Sequence, residues 1–233
     1  MKRALLSTAL AVFLATSLAS PAQAVKRPHP SKLKYPPLEI ATPEVVELSL
    51  PGGMEGFMIE GREIPVVDLV ILFRTYFPAE EKCGLSEMAQ WVMRNGGSAG
   101  WPAERLNDEL EFLPASIEVY GGDLSTTVAV SCMKKDLGAV LEIAADLVRN
   151  PLFPADRIEQ KRGDMLEAIR RQNDQPNAVA RREFNRLVYR GHPYGWEQTP
   201  ATVAALTRED LVDFHRRYFH PNNAIGGVSA ELR

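Results

Sequence analysis

Histidine and cysteine side chains, the usual metal ligands and partners in nucleophilic catalysis, are scarce in this sequence of 233 residues. It contains four histidines and two cysteines, namely His29, His192, His215, His220, Cys83 and Cys132. His215 and His220 are five residues apart near the end of a predicted helix, a spacing that does not place two ligands on one helical face. No spacing indicates a Ser-His-Asp or Cys-His arrangement, so surface, capping or buried structural roles are expected.

The N-terminal segment has the organisation of a secretory signal peptide. Lys2 and Arg3 precede an uncharged, mostly apolar run over residues 4–20, and Ala22-Gln23-Ala24 supplies a small-x-small cleavage pattern. The run is short for a membrane span. We therefore expect cleavage of residues 1–24, a mature chain without a membrane span, and a periplasmic or secreted location. In that compartment, Cys83 and Cys132 either form a disulfide or remain as two buried thiols.

The composition is that of an ordinary globular domain. Hydrophobic residues make up 45% and charged residues 24% of the chain, which excludes a disordered or collagen-like protein. With 27 basic and 30 acidic side chains, the formal net charge is -3. Nucleic acid is therefore not expected as a partner, because its binders usually present a basic face. The Pro- and Lys-rich residues 25–43 are expected to form an extended lead-in, followed by a single domain over residues 44–233.

Hydrophobic periodicity predicts strands and helices in the order of an α+β domain. The predicted strands cover residues 45–50, 56–60, 66–77, 117–120 and 125–133, and residues 222–228 begin a last one. The predicted helices cover residues 85–95, 103–113, 137–149, 154–171 and 178–189, with a last helix starting at a capping box over Thr207 to Asp210. Asp136 is expected to cap the third helix, whose buried side is predicted to include Leu141. This order favours an antiparallel or mixed sheet with helices packed on one face.

Six stretches of the sequence form a series that is specific when taken together. They are Leu48 to Val70, Gly84-Leu85-Ser86, Asp123 to Val130, Arg149 to Pro154, Gly191 to Gly195, and Ala205 to Asn223. In this order they resemble the N-terminal domain of the insulinase/pitrilysin family of zinc metallopeptidases, which includes the mitochondrial processing peptidases. The resemblance covers the chain from about Val45 to its end.

The resemblance implies an inverted zinc motif, His-x-x-Glu-His, on the first predicted helix. In that motif the two histidines bind zinc and the glutamate between them acts as general base on a zinc-bound water. A downstream glutamate completes the three protein ligands and leaves a fourth position open.

This sequence departs from the motif at every position. Glu87 stands in place of the first histidine, Gln90 in place of the base, and Trp91 in place of the second histidine. The position of the third ligand aligns best with Ala168, or with Glu167 if the alignment shifts by one residue. An indole offers only an N–H donor, and an amide cannot act as a carboxylate base. We therefore expect no intact catalytic group, no metal and no cofactor, and zinc only if this interpretation is wrong.

Two of the replaced positions allow more than one role. Glu87 either pairs with an arginine or remains a solvated surface charge. Trp91 either stacks on a substrate or fills the space that zinc and its ligands would occupy, and the second role is favoured.

The resemblance implies a catalytically degenerate domain, leaning towards no enzymatic activity. Such a domain would serve as the peptide-binding half or subunit of an assembly, beside an active family member or a second domain, with an extended peptide added to a sheet edge. The alternatives are an active metal-dependent endopeptidase with a displaced site, and a pure scaffold. The sequence stops at Arg233 within a predicted strand, so truncation before a second domain is considered, and a dimer or hetero-oligomer is expected.

Overall fold

A computed structural model of the protein describes residues 29, 33, 35, 43–61 and 65–230. All elements described below belong to the unit Pro43–Arg233. The predicted signal peptide and most of the predicted lead-in lie outside the described residues. Within the described ranges, no helix combines the length and the apolar composition needed to cross a membrane.

Strands and helices follow one another along the described chain in the predicted α+β order. The strands are β1 (Val45–Ser49), β2 (Glu55–Glu60), β3 (Val66–Arg74), β4 (Ser116–Gly121), β5 (Ser125–Met133) and β6 (Ala224–Ala230). The helices are α1 (Leu85–Gly96), α2 (Ala103–Phe112), α3 (Leu137–Arg149), α4 (Ala155–Arg171), α5 (Pro176–Val188), α6 (Pro200–Ala204) and α7 (Arg208–Tyr218). Five single-turn 3-10 helices join them, at Pro51–Gly53, Glu80–Lys82, Lys134–Asp136, Pro193–Gly195 and Pro221–Asn223.

The strands form one six-stranded sheet in the order β1-β2-β6-β3-β5-β4. Its pairs are antiparallel except β2 with β6, which run parallel. Helices cover only one face, as the alternation along β3 shows. Val67 and Phe73 are buried on the covered face, whereas Asp68, Val70 and Arg74 are exposed on the other. The predicted fold class, a mixed sheet with helices on one face, is confirmed.

Helix α1 lies at the centre of the core because its apolar side chains recur at helical spacing. The predicted residues Met88, Ala89, Val92 and Met93 are fully buried. The helix packs against β4, α3, α4 and α7, so its orientation is fixed from several sides.

Helix α3 buries the predicted residues Val140, Ala144 and Leu147, but Ile143 takes the place of the predicted Leu141. Val140, Ile143, Ala144 and Leu147 are buried, while Leu141 is 37% exposed. The helical spacing i, i+3, i+4, i+7 selects Ile143 and turns Leu141 toward the edge of the core. The predicted cap of this helix is also wrong, because Asp136 closes a 3-10 turn in the αR conformation and its side chain makes no capping bond.

Strand β3 ends at Arg74, three residues before the predicted end. The next residue, Thr75, donates its N–H to the oxygen of Leu124 at 2.9 Å and its hydroxyl to the oxygen of Asp123 at 2.8 Å. These bonds turn the chain away from the ladder. The capping box at Thr207 and Asp210 is confirmed, whereas the short helix α6, which opens with a second capping box, was not predicted.

Candidate functional site

A close approach of two helices positions the motif region. Gly84 precedes α1 with φ of 99°, a conformation that favours glycine. A Cβ atom at Gly84 would lie 2.7 Å from the terminal methyl carbon of Met165 on α4. The missing side chain therefore lets the first turn of α1, which carries Glu87, lie directly against α4.

Glu87 is held by two side chains from elsewhere in the chain. Its Oε1 lies 2.7 Å from Nζ of Lys161, and its Oε2 accepts a hydrogen bond of 2.9 Å from Nε2 of Gln198. Burial raises the pKa of Glu87, the bonds from Gln198 and Lys161 lower it, and the net result is a pKa below its ordinary value. The carboxylate is thus paired, with a lysine instead of the arginine considered from sequence.

Gln90 joins α1 to the β4–β5 hairpin. Its side chain is only 4% exposed, and its Nε2 donates to the oxygen of Gly122 and to Oγ1 of Thr126, both at 3.0 Å. The two N–H groups of the amide are therefore both used in structural bonds. A carboxylate at this position could make neither donation.

Trp91 is half-buried and packs against the edge of the core. Nζ of Lys161 lies 5.9 Å from the centroid of its ring, which is at the outer limit of a cation–π contact. Lys161 therefore contacts both Glu87 and Trp91, two of the three motif positions. The indole therefore lies beside Lys161 of α4 and against the core.

The two candidates for the third ligand lie on different sides of α4. Ala168 follows Lys161 by two helical turns and so shares the face that Lys161 presents to α1. Glu167 instead bonds to its own helix, 2.7 Å from Nε of Arg170 and 2.6 Å from Nε of Arg171. The hydrogen bonds from these arginines lower the pKa of Glu167 to about 2.

The histidines of the domain are engaged in local structure. Nδ1 of His192 accepts a hydrogen bond from the N–H of Tyr194 at 3.2 Å, and Nε2 of His215 lies 2.7 Å from the oxygen of Val148. Burial lowers the pKa of His215, and the bond to the Val148 oxygen only partly offsets this. Both ring nitrogens of His220 contact residues within three positions of it.

The two cysteines are free thiols, which decides between the alternatives left open by the sequence. Cys83 and Cys132 are both buried and unpaired. Burial, supported by nearby carboxylates, raises the pKa of the Cys83 thiol to about 11 and also raises that of Cys132. Both side chains are therefore protonated and unreactive at neutral pH.

The side chains at the motif positions do not fit zinc. Among the three motif positions on α1, Glu87 alone offers a carboxylate, and that carboxylate is already bound by Lys161 and Gln198. Zinc sites need nitrogen or sulfur donors beside carboxylates, in a set of three or four. Across residues 43–61 and 65–230, no three His, Cys, Asp or Glu side chains come together in a way that could hold a metal ion. Lys161 and Gln198, the partners of Glu87, were not predicted from sequence. The sequence offers a signal for Lys161 only, because its spacing of seven positions from Ala168 places both on one helical face.

Comparison with known proteins identifies the family. The model of the family "Insulinase (Peptidase family M16)" matches residues 79–199, which is more than half of the chain. A solved structure described as a peptidase M16 inactive domain from Pseudomonas fluorescens superimposes with a TM-score of 0.76 at 22% identity, over 82% of this chain and 47% of that one. The periplasmic protease PqqL from Escherichia coli gives a TM-score of 0.68 at 16% identity, over 83% of this chain and 23% of that protein.

Among the relatives found by sequence, an uncharacterized zinc protease of Rickettsia felis is 21% identical over 168 residues, covering 71% of this chain and 40% of the relative. Subunit 1 of the mitochondrial cytochrome b-c1 complex of Mus musculus is 26% identical over 138 residues, covering 57% of this chain and 29% of the subunit. The chain thus spans less than half of the length of these relatives. It belongs to the insulinase family, peptidase family M16, and the resemblance drawn from its sequence is confirmed.

Gln90→Glu, which would restore the base of the family motif, is expected to destabilise the domain by about 2–3 kcal/mol near neutral pH. The new carboxylate oxygen would face the oxygen of Gly122 without a proton to donate. Burial without a donor raises the pKa of this carboxyl group in the folded state. The loss in free energy of unfolding is therefore smallest below the unfolded pKa of roughly 4.3 and grows as pH rises through the folded pKa. Denaturant unfolding of the variant and the parent across this range measures the effect.

Gln90→Met is the matched control, because it removes the same donors without adding a charge. Its loss of stability should not vary with pH over the same range. A Gln90→Glu protein as stable as the parent near neutral pH would contradict the structural role assigned to the amide.

Proposed function

We propose that this chain is a peptide-binding domain of the M16 family without hydrolytic activity, acting after export beside an active family member or a second domain. The observation that carries the proposal is the engagement of the motif side chains with protein groups. Glu87 is paired with Lys161, and both N–H groups of the Gln90 amide form hydrogen bonds to the β4–β5 hairpin. Groups already bound in this way are not free to hold a metal or to activate water.

Peptide binding in this proposal uses strand β4, which lies at one edge of the sheet. The N–H of Gly122 donates to the oxygen of Ser125 at 3.0 Å and closes the β4–β5 hairpin. Because bonded and non-bonded pairs alternate in an antiparallel ladder, Ile117, Val119 and Gly121 direct their backbone groups outward. This edge offers main-chain donors and acceptors to an extended peptide and needs no metal.

The oxygen of Ile117 is already bound on this edge, because it accepts a hydrogen bond of 2.5 Å from Nε of Arg94 on α1. Arg94 also donates to Oδ1 of Asn107 on α2 at 3.1 Å. The backbone groups of Val119 and Gly121 are thus the ones we assign to a peptide. Since α1 packs against β4, a bound strand would lie beside the helix that carries the altered motif.

Helix α5 is the surface that we assign to the partner chain or second domain. It has no buried residue, and it exposes Phe184, Leu187 and Val188 at helical spacing by 62%, 70% and 55%. Exposed apolar patches of this kind mark interaction sites in soluble proteins. The similarity to an M16 inactive domain and to a larger periplasmic protease supports a partnered, exported domain.

Zinc uptake is the first test of the missing catalysis. The parent protein, incubated with zinc and desalted, is expected to retain much less than one equivalent and to hydrolyse no unfolded peptide. The combined variant Glu87→His, Gln90→Glu, Trp91→His and Ala168→Glu is expected to retain about one equivalent by elemental analysis. The same variant without Ala168→Glu is the control for the third ligand, and equal uptake by both would assign Glu167 instead. One tightly held zinc in the parent, with hydrolysis stopped by a chelator, would overturn the proposal.

Peptide binding at the β4 edge can be tested with backbone-modified peptides. A labelled extended peptide is expected to bind, and N-methylation of every second amide should weaken binding on the order of tenfold or more by removing the bonds to β4. Methylation of the other alternate amides is the matched control, because these point away from the sheet and should have little effect. Fluorescence anisotropy measures both series. Equal losses in both series, or no binding of the parent peptide, would exclude recognition through a strand edge.

The partner surface can be tested by capturing the protein from the exported fraction and identifying co-purified chains by mass spectrometry. The unchanged protein is expected to bring with it a chain that carries His-x-x-Glu-His. Phe184→Glu should remove that chain, because it places a charge in the apolar stripe of α5. Phe112→Glu, which changes an equally apolar and 83% exposed side chain on α2, is the control. Capture of the protein alone at its own mass would show that it has no such partner.

A further inference from the structure

A cleft of about 410 Å³ opens between helix α3 and the covered face of the sheet, away from the β4 edge. Its floor includes Leu69 and Ile71 of β3, and its wall includes Leu141 and Val148 of α3. This volume lies within the range of small-molecule sites, roughly 300–1000 Å³. We propose that this cleft binds a fatty acid of medium chain length, with the acyl chain in the cleft and the carboxylate on Arg149.

Two paired glycines lie on the covered face of the sheet next to the cleft. Gly226 of β6 lies on the covered face, opposite Ile71 on one side and Gly56 on the other. Two neighbouring strands therefore carry no side chain at this level. A Cβ atom at Gly226 would be in ordinary contact with the methyl carbon of Met54 at 3.7 Å, and Met54 itself lines the cleft. Leu69 and Ile71 remain only partly buried, in contrast to Val67 and Phe73 on the same face of β3.

The side chains that line the cleft are mostly apolar, and a cationic side chain, that of Arg149, lies at one end. Apart from Arg149 and His220, every lining side chain is apolar, and none is acidic. The ring nitrogens of His220 are occupied by Asn222 and by the oxygen of Arg217. Arg149 is exposed at the last residue of α3, and no described residue forms a hydrogen bond or ion pair with its guanidinium.

These features together select an amphipathic carboxylic acid. An apolar cavity of this shape favours an acyl chain, because each buried methylene group contributes favourably to binding. A guanidinium without a partner at the rim favours a carboxylate, which it can bind through two parallel hydrogen bonds. A neutral lipid or an alcohol would fill the same cleft without using Arg149.

Decanoate and 1-decanol are suitable probes, because they differ only in the head group. Displacement of a fluorescent fatty acid from the intact protein should show saturable binding of decanoate at one site, about tenfold tighter than that of decanol. Arg149→Gln should remove this preference while leaving decanol binding unchanged. A merely structural role of Arg149 at the end of α3 would instead weaken both probes alike.

Gly226→Leu tests the location, because the added side chain would press on Met54, which lines the cleft, and should weaken decanoate binding by more than tenfold. Gly227→Leu is the matched control, since the neighbouring residue points to the opposite face and has no atom within 4 Å of its added Cβ. Melting temperatures show whether both variants are folded. Absence of saturable decanoate binding, including absence because a further polypeptide segment fills the cleft, would overturn the proposal. Equal effects of the two variants or equal affinity for acid and alcohol would do the same.

Discussion

Two hydrogen bonds from one buried amide connect the central helix to the edge of the sheet, and the arrangement of the motif region depends on them. The side chain of Gln90 reaches from α1 to Gly122 and Thr126 on the β4–β5 hairpin. Thr126 is completely buried, so its hydroxyl has no water as an alternative partner, whereas Gly122 lies in the exposed turn of the hairpin. Loss of the bond to Thr126 would leave a buried polar group unsatisfied, at a cost of about 1–3 kcal/mol. The bonds thereby fix the rotation of α1 and the direction of Glu87 one turn earlier.

The substitutions in this region form a consistent set. Helix α1 approaches α4 closely because Gly84 has no side chain, and this contact brings Lys161 against both Glu87 and Trp91. A lysine beside a zinc ion would be repelled by it, whereas beside a carboxylate it forms an ion pair. Small side chains such as that of Ala168 leave the same helical face free of competing charge. A partly satisfied polar network is costly in a protein interior, so positions of this kind are expected to change together.

The sequence allowed the central elements to be predicted because their periodicity is strong. Strand β5 places Val128, Val130 and Cys132 on its buried face as expected, and α1 buries four consecutive predicted positions of its stripe. The end of β3 could not be predicted, because it depends on bonds from Thr75 to a hairpin about 50 positions away in the chain. Helix α6 has only five residues and shows no period, although Thr199 and Thr202 form a recognisable capping box.

The predicted cap of α3 is wrong for a similar physical reason. Asp136 has the right residue type and position, but a preceding 3-10 turn places it in the αR conformation, where its side chain does not reach the free N–H groups. In the candidate site, the assignment of Glu87, Gln90 and Trp91 to the motif positions stays a prediction from sequence, in which residue type alone excludes an indole as a ligand. The partners Lys161 and Gln198 could not, because their contacts with Glu87 arise from the packing of helices and loops that are distant in sequence.

In the function that we propose, hydrolysis and peptide binding depend on different parts of the fold, so the first can be lost without the second. Hydrolysis in the family motif requires four specific side chains, and substitution of any of them removes a ligand or the base. A sheet edge recognises an extended chain through backbone groups, which are present whatever the side chains are. On β4, the backbone of Val119 and Gly121 keeps its outward direction as long as the hairpin holds its register. Gln90 supports that hairpin through Gly122 and Thr126. Gln90, which we align with the catalytic base of the family motif, therefore contributes to the geometry of the edge that we assign to binding.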